Sequence, residues 1–232
     1  MNIELSIIIP VFEESYIINK TISHLNCIPF TRRPEIIIVD GNITQSTLGV
    51  IRDKHVKKLS SPKGRGIQMN MGAKAASGNV FLFLHADTYL SPNAPELILK
   101  SLQNKNTVAG AFDLGIRSHK NIFRLIEKMV QIRSRLTRIP YGDQGIFIQK
   151  KFFKMLGGYS NMPLMEDVDL MRRVKKAGGK IAIIGEKVST SSRRWEKEGI
   201  IFCTLRNWFL ITLYFLGLPA EKLKKYYPTL PF

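Results

Sequence analysis

Cysteine is scarce in this sequence. Its 232 residues hold two, Cys27 and Cys203, in apolar surroundings with no CxxC spacing and no cluster of histidines beside them, His24 standing alone near Cys27. That excludes a disulfide-stapled scaffold, a dithiol redox pair and a zinc site, and both thiols are expected to lie reduced in the core. Acids are also few: 18 Asp and Glu stand against 35 Lys and Arg, for a formal net charge of +17. Such an excess calls for an anionic partner, which could be nucleic acid, an acidic membrane face or a phosphorylated substrate. No zinc finger, aromatic RNA-binding signature or low-complexity basic tail is present, so no specific nucleic-acid partner is expected. The start MNIELSIIIPV lacks a basic stretch ahead of a long apolar run, and its apolar block ends at Pro10. It reads as a strand rather than a signal peptide, and the expected location is cytoplasmic, extending to the inner face of the membrane.

Neither an internal repeat nor a linker divides the chain, whose length suits one α/β domain. Its first half alternates β-rich runs with helical patterns, the mark of βαβ units and a mostly parallel sheet. Strands are expected at Leu5 to Pro10, Glu35 to Asp40 and Val80 to Leu84, with helices at Ser15 to Leu25 and Gln68 to Ala76. The second half is less regular, with strands near Val108 to Ile116 and Gly145 to Gln149 and helices at Asn121 to Leu136 and Pro163 to Ala177. The stretch Ile200 to Leu218 is apolar and aromatic but interrupted by Arg206 and Asn207, a poor membrane span. It fits either a buried helix or one lying in the membrane interface, with Lys222, Lys224 and Lys225 beyond it suited to anionic headgroups.

Open parallel sheets bind ligands beyond the carboxyl ends of their strands. Acids gather there: Glu13 and Glu14 after the first strand, Asp40 ending the second, Asp87 after VFLFL, and Glu166 and Asp167 opening a helix. A lone acid at a strand end is commonly a cap, but four sites in one domain indicate chemistry. Lys63 to Gly66 forms a basic, glycine-containing turn before a helix, a cradle for phosphate offered by Lys63 and Arg65. Asp143 and Gln144 precede a strand and are expected to face a sugar donor or acceptor.

In order and spacing, SIIIPVFEE, IIIVDGN, FLFLHADT, MEDVDL and SRRW resemble the family-two GT-A glycosyltransferases, which include cellulose synthase and dolichyl-phosphate mannose synthase. KGRGIQMN, PYGDQG and SRRWE are similar to a compact bacterial branch of that family. The resemblance implies a GT-A Rossmann-like α/β fold over residues 1–198, with 199–232 an apolar helix and basic tail packed on the domain or interfacial. It implies a hexose moved from a nucleotide-diphosphate donor, UDP favoured, to an acceptor hydroxyl with inversion. Pro10, Glu14 and Asp40 would line the nucleotide pocket, with Asp40 accepting a hydrogen bond from the base. Asp87 matches the last acid of the metal motif, so a divalent cation, Mn or Mg, would bridge the donor phosphates. Asp167 matches the catalytic base, with Glu166 orienting its loop or the acceptor. Arg193, Arg194 and Trp195 match the arginine and tryptophan of the diphosphate and acceptor region.

Three positions depart from the family pattern. His85 replaces the first acid of the Asp-Ala-Asp motif and is a candidate transition-metal ligand, favouring Mn. Ser191 replaces a glutamine of the processive synthases, which points to single-sugar transfer. DGNITQST stands where DGGSTDGT is usual, leaving as the alternative a degenerate, non-catalytic basic protein that binds nucleotide or membrane. A nucleotidyltransferase is excluded because PVFEES is not a glycine-rich signature loop. A lipid acceptor is the expectation from the apolar C-terminal stretch.

Overall fold

Ile7, Ile8 and Ile9 are each fully buried, although successive strand residues face opposite sides of a sheet. A strand like this needs cover on both faces. The structure, a computed structural model describing residues 4–227, provides it. Seven strands form one sheet: β1 Leu5–Val11, β2 Glu35–Asp40, β3 Lys57–Ser60, β4 Val80–Phe83, β5 Thr107–Arg117, β6 Ile146–Gln149 and β7 Lys180–Ser191. Their order is β3-β2-β1-β4-β6-β5-β7, and β6 alone runs against its neighbours. Ten helices accompany them among the described residues: α1 Ile18–Asn26, α2 Ser46–Gly49, α3 Arg65–Ala75, α4 Ala94–Leu102, α5 Asn121–Thr137, α6 Lys150–Met155, α7 Glu166–Lys176, α8 Arg193–Glu198, α9 Ile200–Phe215 and α10 Ala220–Leu223.

The alternation along the strands sorts the core into two layers. Ile7, Ile9, Ile36 and Ile38 meet Ile18, Ile22 and Leu25 of α1 and Ile98 of α4. Ile8, Ile37 and Val39 meet Met69 and Ala73 of α3 and Val168, Met171 and Val174 of α7. Helix α3 lies so close to β1 that a Cβ on Gly72 would stand 2.4 Å from Ile8 Cγ2. Only glycine permits that approach. In-register pairing of β1 with β2, ending at Val11 opposite Asp40, brings the loops after both strands to the same edge of the sheet.

The α/β architecture with a mostly parallel sheet agrees with the sequence reading, and the details shift. Helix α7 starts at Glu166 rather than Pro163, because Met165 takes a left-handed φ of 67° that breaks the run. Helix α1 starts at Ile18, after a turn closed by Ile18 N–H donating to Glu14 O. Strands β3 and β7 and helix α4 were not expected. Cys203 is buried as expected, but Cys27 is exposed: it caps the C-terminal end of α1, on the outward side of the turn.

Helix α9 packs through Cys203, Arg206 and Leu210 and leaves its opposite side in solvent. Arg206 does not interrupt the helix. It turns inward and pairs with Glu198 of α8 at 2.5 Å, both side chains being buried. No helix among the described residues is long and apolar enough to cross a membrane. Of the expected tail at 199–232, residues 228–232 lie outside the described residues.

Candidate active site

Asp40 closes β2 and is fully buried. Its Oδ1 accepts from Asn42 N–H at 2.9 Å and its Oδ2 from Thr47 N–H at 3.1 Å. Thr47 Oγ1 in turn accepts from Glu14 N–H at 3.1 Å, so Asp40 ties together the loops that follow β1 and β2. With no accessible surface in this arrangement, it frames the loops at this end of the sheet. Pro10 stands inside β1, opposite Val39, rather than beyond the strand end. An open cleft of about 450 Å³ lies past this loop, lined by Thr44, Gln45, Leu48, Gly49, Lys58 and Ser60. None of the candidate acids lines it, so it is not the chemical centre.

Glu14 and Asp87 converge on one guanidinium. Arg193 Nη2 is 3.4 Å from Glu14 Oε2 and 3.5 Å from Asp87 Oδ2, and the group lies 4.8 Å from the Tyr16 ring centre. The chain reaches this point because β7 runs the length of β5 and delivers α8 to the carboxyl edge. Burial pushes the Glu14 carboxyl up to about 7, with Arg193 opposing and Asp87 adding to the rise. Burial raises Asp87 as well, against the pull of Arg117. Arg117, at the end of β5, donates to the Asp87 carbonyl at 2.8 Å and stacks 4.3 Å over Tyr89.

A second group gathers around Arg65 at the start of α3. Its Nε lies 3.3 Å from Glu166 Oε1, and its Nη2 contacts His85 Nε2. A guanidinium only donates, so His85 Nε2 is the acceptor and its proton sits on Nδ1. Burial, then Arg65, push His85 well below the usual imidazole range, so the ring is neutral. Asp167, the second residue of α7, accepts from Gly142 N–H at 2.5 Å and from Val168 N–H at 2.7 Å. A Cβ on Gly142 would come within 3.0 Å of Arg65 Nη2 and His85 Nε2 and 3.2 Å of Asp167 Oδ2. A side chain there would press on these three groups, which would have to give by a few tenths of an ångström.

The loop carrying Gly142 is held by Gln144. Fully buried, Gln144 accepts from Arg133 at 2.9 Å, Ser134 Oγ at 3.1 Å and Tyr141 N–H at 3.1 Å, and donates to Phe112 O at 2.9 Å. All its polar capacity but one N–H is spent inside the protein, so it supports the loop instead of facing a donor. Arg133 also stacks 3.3 Å over Tyr141. Asp143 behaves differently. Its Oδ1 is buried with no hydrogen-bond partner among the described residues, and burial pushes the carboxyl up to about 6, with Arg133 opposing and Asp167 adding.

Several expected residues stand elsewhere. Trp195, partly buried, packs edge-on against Phe123 at 6.0 Å, in a satellite core with Leu114, Ile116 and Ile126, and so anchors α8. Arg194 pairs with Glu198 at 3.1 Å and lies 4.0 Å from the Tyr227 ring centre. Lys63 is exposed and sits 3.8 Å over Phe12, beside the loop that carries Glu14. Arg117 and Arg133 were not assigned to the site in sequence, and Gly142 entered only as part of the loop from Tyr141 to Gln144. Gly142 alone carried a signal, as the glycine inside PYGDQG.

The metal can be tested against these residues. Glu14, Asp87 and Asp143 all keep raised carboxyls despite the nearby guanidinium groups. Burial is the main cause of each rise, and an arriving diphosphate would add negative charge beside these carboxyls, a setting that accommodates a divalent ion. Asp87 fits as a hard oxygen ligand. His85 does not, because its one lone pair faces Arg65. Among the described residues no three His, Cys, Asp or Glu form a group able to hold a metal by themselves.

A mostly parallel sheet with acids and guanidinium groups collected beyond its carboxyl edge is the arrangement of a GT-A glycosyltransferase. The model of glycosyl transferase family 2 matches residues 6–158, and the chain belongs to that family. Solved structures share the fold. The mannosyltransferase PcManGT from Pyrobaculum calidifontis, in complex with GDP-Man and Mn2+, superposes with a TM-score of 0.65 at 15% identity over 82% of this chain and 57% of that one. TarS 1-349 of S. aureus gives 0.62 at 14% identity over 96% of this chain and 69% of that one, and its complex with UDP-GlcNAc gives 0.62 over 81% and 58%. This chain thus spans a little over half to about two thirds of those structures. No curated protein sequence matches it.

Proposed function

We propose that the chain moves a single hexose, with inversion, from a nucleoside-diphosphate donor to an acceptor hydroxyl. The observation that carries the reading is the pairing of two arms at one sheet edge: Glu14, Asp87 and Arg193 on one side, and Arg65, Gly142 and Asp167 on the other. Arg193 and Arg65 supply forked donors for the two phosphates. Asp167, held by two main-chain amides, takes the proton from the acceptor hydroxyl as that oxygen bonds to the anomeric carbon. The bond from that carbon to the phosphate oxygen breaks on the opposite side, and the nucleoside diphosphate leaves with the electron pair. Glu166 fixes Arg65, and Asp143, with its unpartnered oxygen, is placed to accept from a sugar hydroxyl. Asp87 would hold a divalent cation, Mn or Mg, which neutralises the leaving diphosphate.

A UDP donor is favoured, and the GDP-Man and UDP-GlcNAc complexes of the similar structures support the nucleoside-diphosphate class. The acceptor is read as a lipid met in peripheral contact with the inner membrane face, supported by the apolar side chains exposed on α9. Calorimetric titration of UDP and GDP, with and without Mn²⁺, tests the donor site. Binding of one nucleotide should require metal in the wild type, lose that requirement's benefit in Asp87→Ala, and keep its metal preference in His85→Ala. Absence of nucleotide binding under either condition refutes the reading.

A further inference from the structure

Most of the large apolar side chains exposed among the described residues lie on two helices. On α9, Ile201, Phe202, Leu205, Trp208, Phe209 and Phe215 fall within an arc of about 140° at about 100° per residue. Their exposure is substantial: 62% for Phe202, 57% for Leu205 and 59% for Phe209. The buried Cys203, Arg206 and Leu210 face the other way, and the Arg206–Glu198 pair pins that side to α8. On α5, Ile122, Leu125, Met129, Ile132 and Leu136 make a second exposed stripe at spacings of three and four. The two helices meet where Phe123 and Ile126 of α5 pack with Trp195 and Ile200.

We propose that these stripes are a docking surface for an anionic lipid bilayer, with α9 lying in the interface plane. An exposed aromatic and aliphatic face on a helix too short to span is the pattern of interfacial helices. Charge selects the occupant. The chain carries +17, so a second copy would bring like charge against like, whereas an anionic surface attracts it. Lys222 and Lys225 are exposed just beyond α9, and Lys128 lies exposed on α5. The docking face begins directly after α8, whose first residue, Arg193, belongs to the site, so binding would hold the site near the headgroups. The inference names the partner on the acceptor side of the proposed transferase and rests on that reading for its purpose, not for its binding.

The test is co-sedimentation of the full chain with vesicles of phosphatidylglycerol in phosphatidylcholine, against pure phosphatidylcholine, at about 0.1 M salt. Wild type should sediment with the anionic vesicles and shift the emission of Trp208 to the blue. Leu205→Glu/Phe209→Glu and Leu125→Glu/Ile132→Glu should each lower partitioning by about tenfold or more, the loss expected when large apolar side chains no longer leave water. Met155→Glu, which removes an exposed apolar residue on α6 away from both stripes, should bind as wild type. UDP and GDP titrations without vesicles separate the two ideas: a chain that binds vesicles but no nucleotide keeps this surface and loses the donor site. Equal binding to neutral vesicles, stripe variants that sediment like wild type, or a lipid-free dimer that the α9 variant converts to monomer would each overturn the proposal.

Discussion

Replacing Gln144 by alanine separates two roles that its sequence position leaves open, contact with the donor and support of the loop. The four hydrogen bonds of its amide do not count equally. Arg133 is half-buried, so water can meet the N–H that Gln144 leaves while the guanidinium stays in place and keeps donating to Ser134 Oγ at 3.1 Å. The Phe112 carbonyl and the Tyr141 N–H lose partners they cannot replace. At about 1–3 kcal/mol for each stranded buried group, the variant should lose about 3 kcal/mol of stability. Loosening of Tyr141 passes to Gly142, whose amide holds Asp167 Oδ2. A shift of about 1 Å in the base costs about a hundredfold in kcat. Donor affinity should stay within about threefold, since no bond of Gln144 points at the Glu14 and Asp87 arm. Urea denaturation reads the first number, steady-state kinetics the second and calorimetry the third. An unchanged midpoint together with weakened donor binding would refute the assignment and return Gln144 to the donor.

Glu14→Gln should change the pH dependence of stability. Between the ordinary value of 4.5 and about 7 the native state keeps a proton on Glu14 that the unfolded chain has lost, so this group's stabilising contribution falls as pH rises through that window. The full shift is worth about 3 kcal/mol, trimmed to about 2 by residual solvent contact. The difference between variant and wild type in urea at about pH 5 and about pH 8 should move by that amount in the variant's favour, and a constant difference would count against it. Asp143 shifts in the same direction and His85 in the opposite one, and both cancel in the comparison. Glu198→Ala leaves the Arg206 guanidinium buried without its carboxylate and should cost about 3–5 kcal/mol, while Glu198→Met/Arg206→Met should cost far less. Equal losses by thermal or urea denaturation would contradict that account.

The first half of the fold is legible because EIIIVD and VFLF have one physical use, a strand buried on both faces, and because the acids that follow can sit only at the sheet edge. Strand β7 escaped because KIAIIGEKVSTS mixes polar residues and Gly185 into a strand whose pairing with β5 slips between Phe112 and Asp113. Periodicity weakens across such an irregularity. At the site, chemical type was readable and direction was not. Gln144 and Asp143 are neighbours in a three-residue turn, yet one amide is consumed by Phe112, Ser134 and Arg133 and the other carboxyl keeps an oxygen free of hydrogen bonds. Trp195 lies in a six-residue helix, too short for a period to reveal its inward face.

Arg193 is the shared partner of two acids at this edge of the sheet. Both carboxylates lie nearest the same nitrogen, Nη2, of its planar guanidinium fork. The same planar fork matches two phosphate oxygens, so an incoming diphosphate can replace the carboxylates as partner without moving a charge through the protein. That exchange would leave Glu14 and Asp87 facing each other in a region where burial has already raised both. Protonation of Glu14, whose carboxyl titrates at about 7, or arrival of a divalent cation at Asp87 resolves the same excess charge. On the proposed reading, donor binding, proton uptake and metal binding would form one coupled equilibrium at this edge of the sheet, and the demand for metal should grow as pH rises above the Glu14 titration.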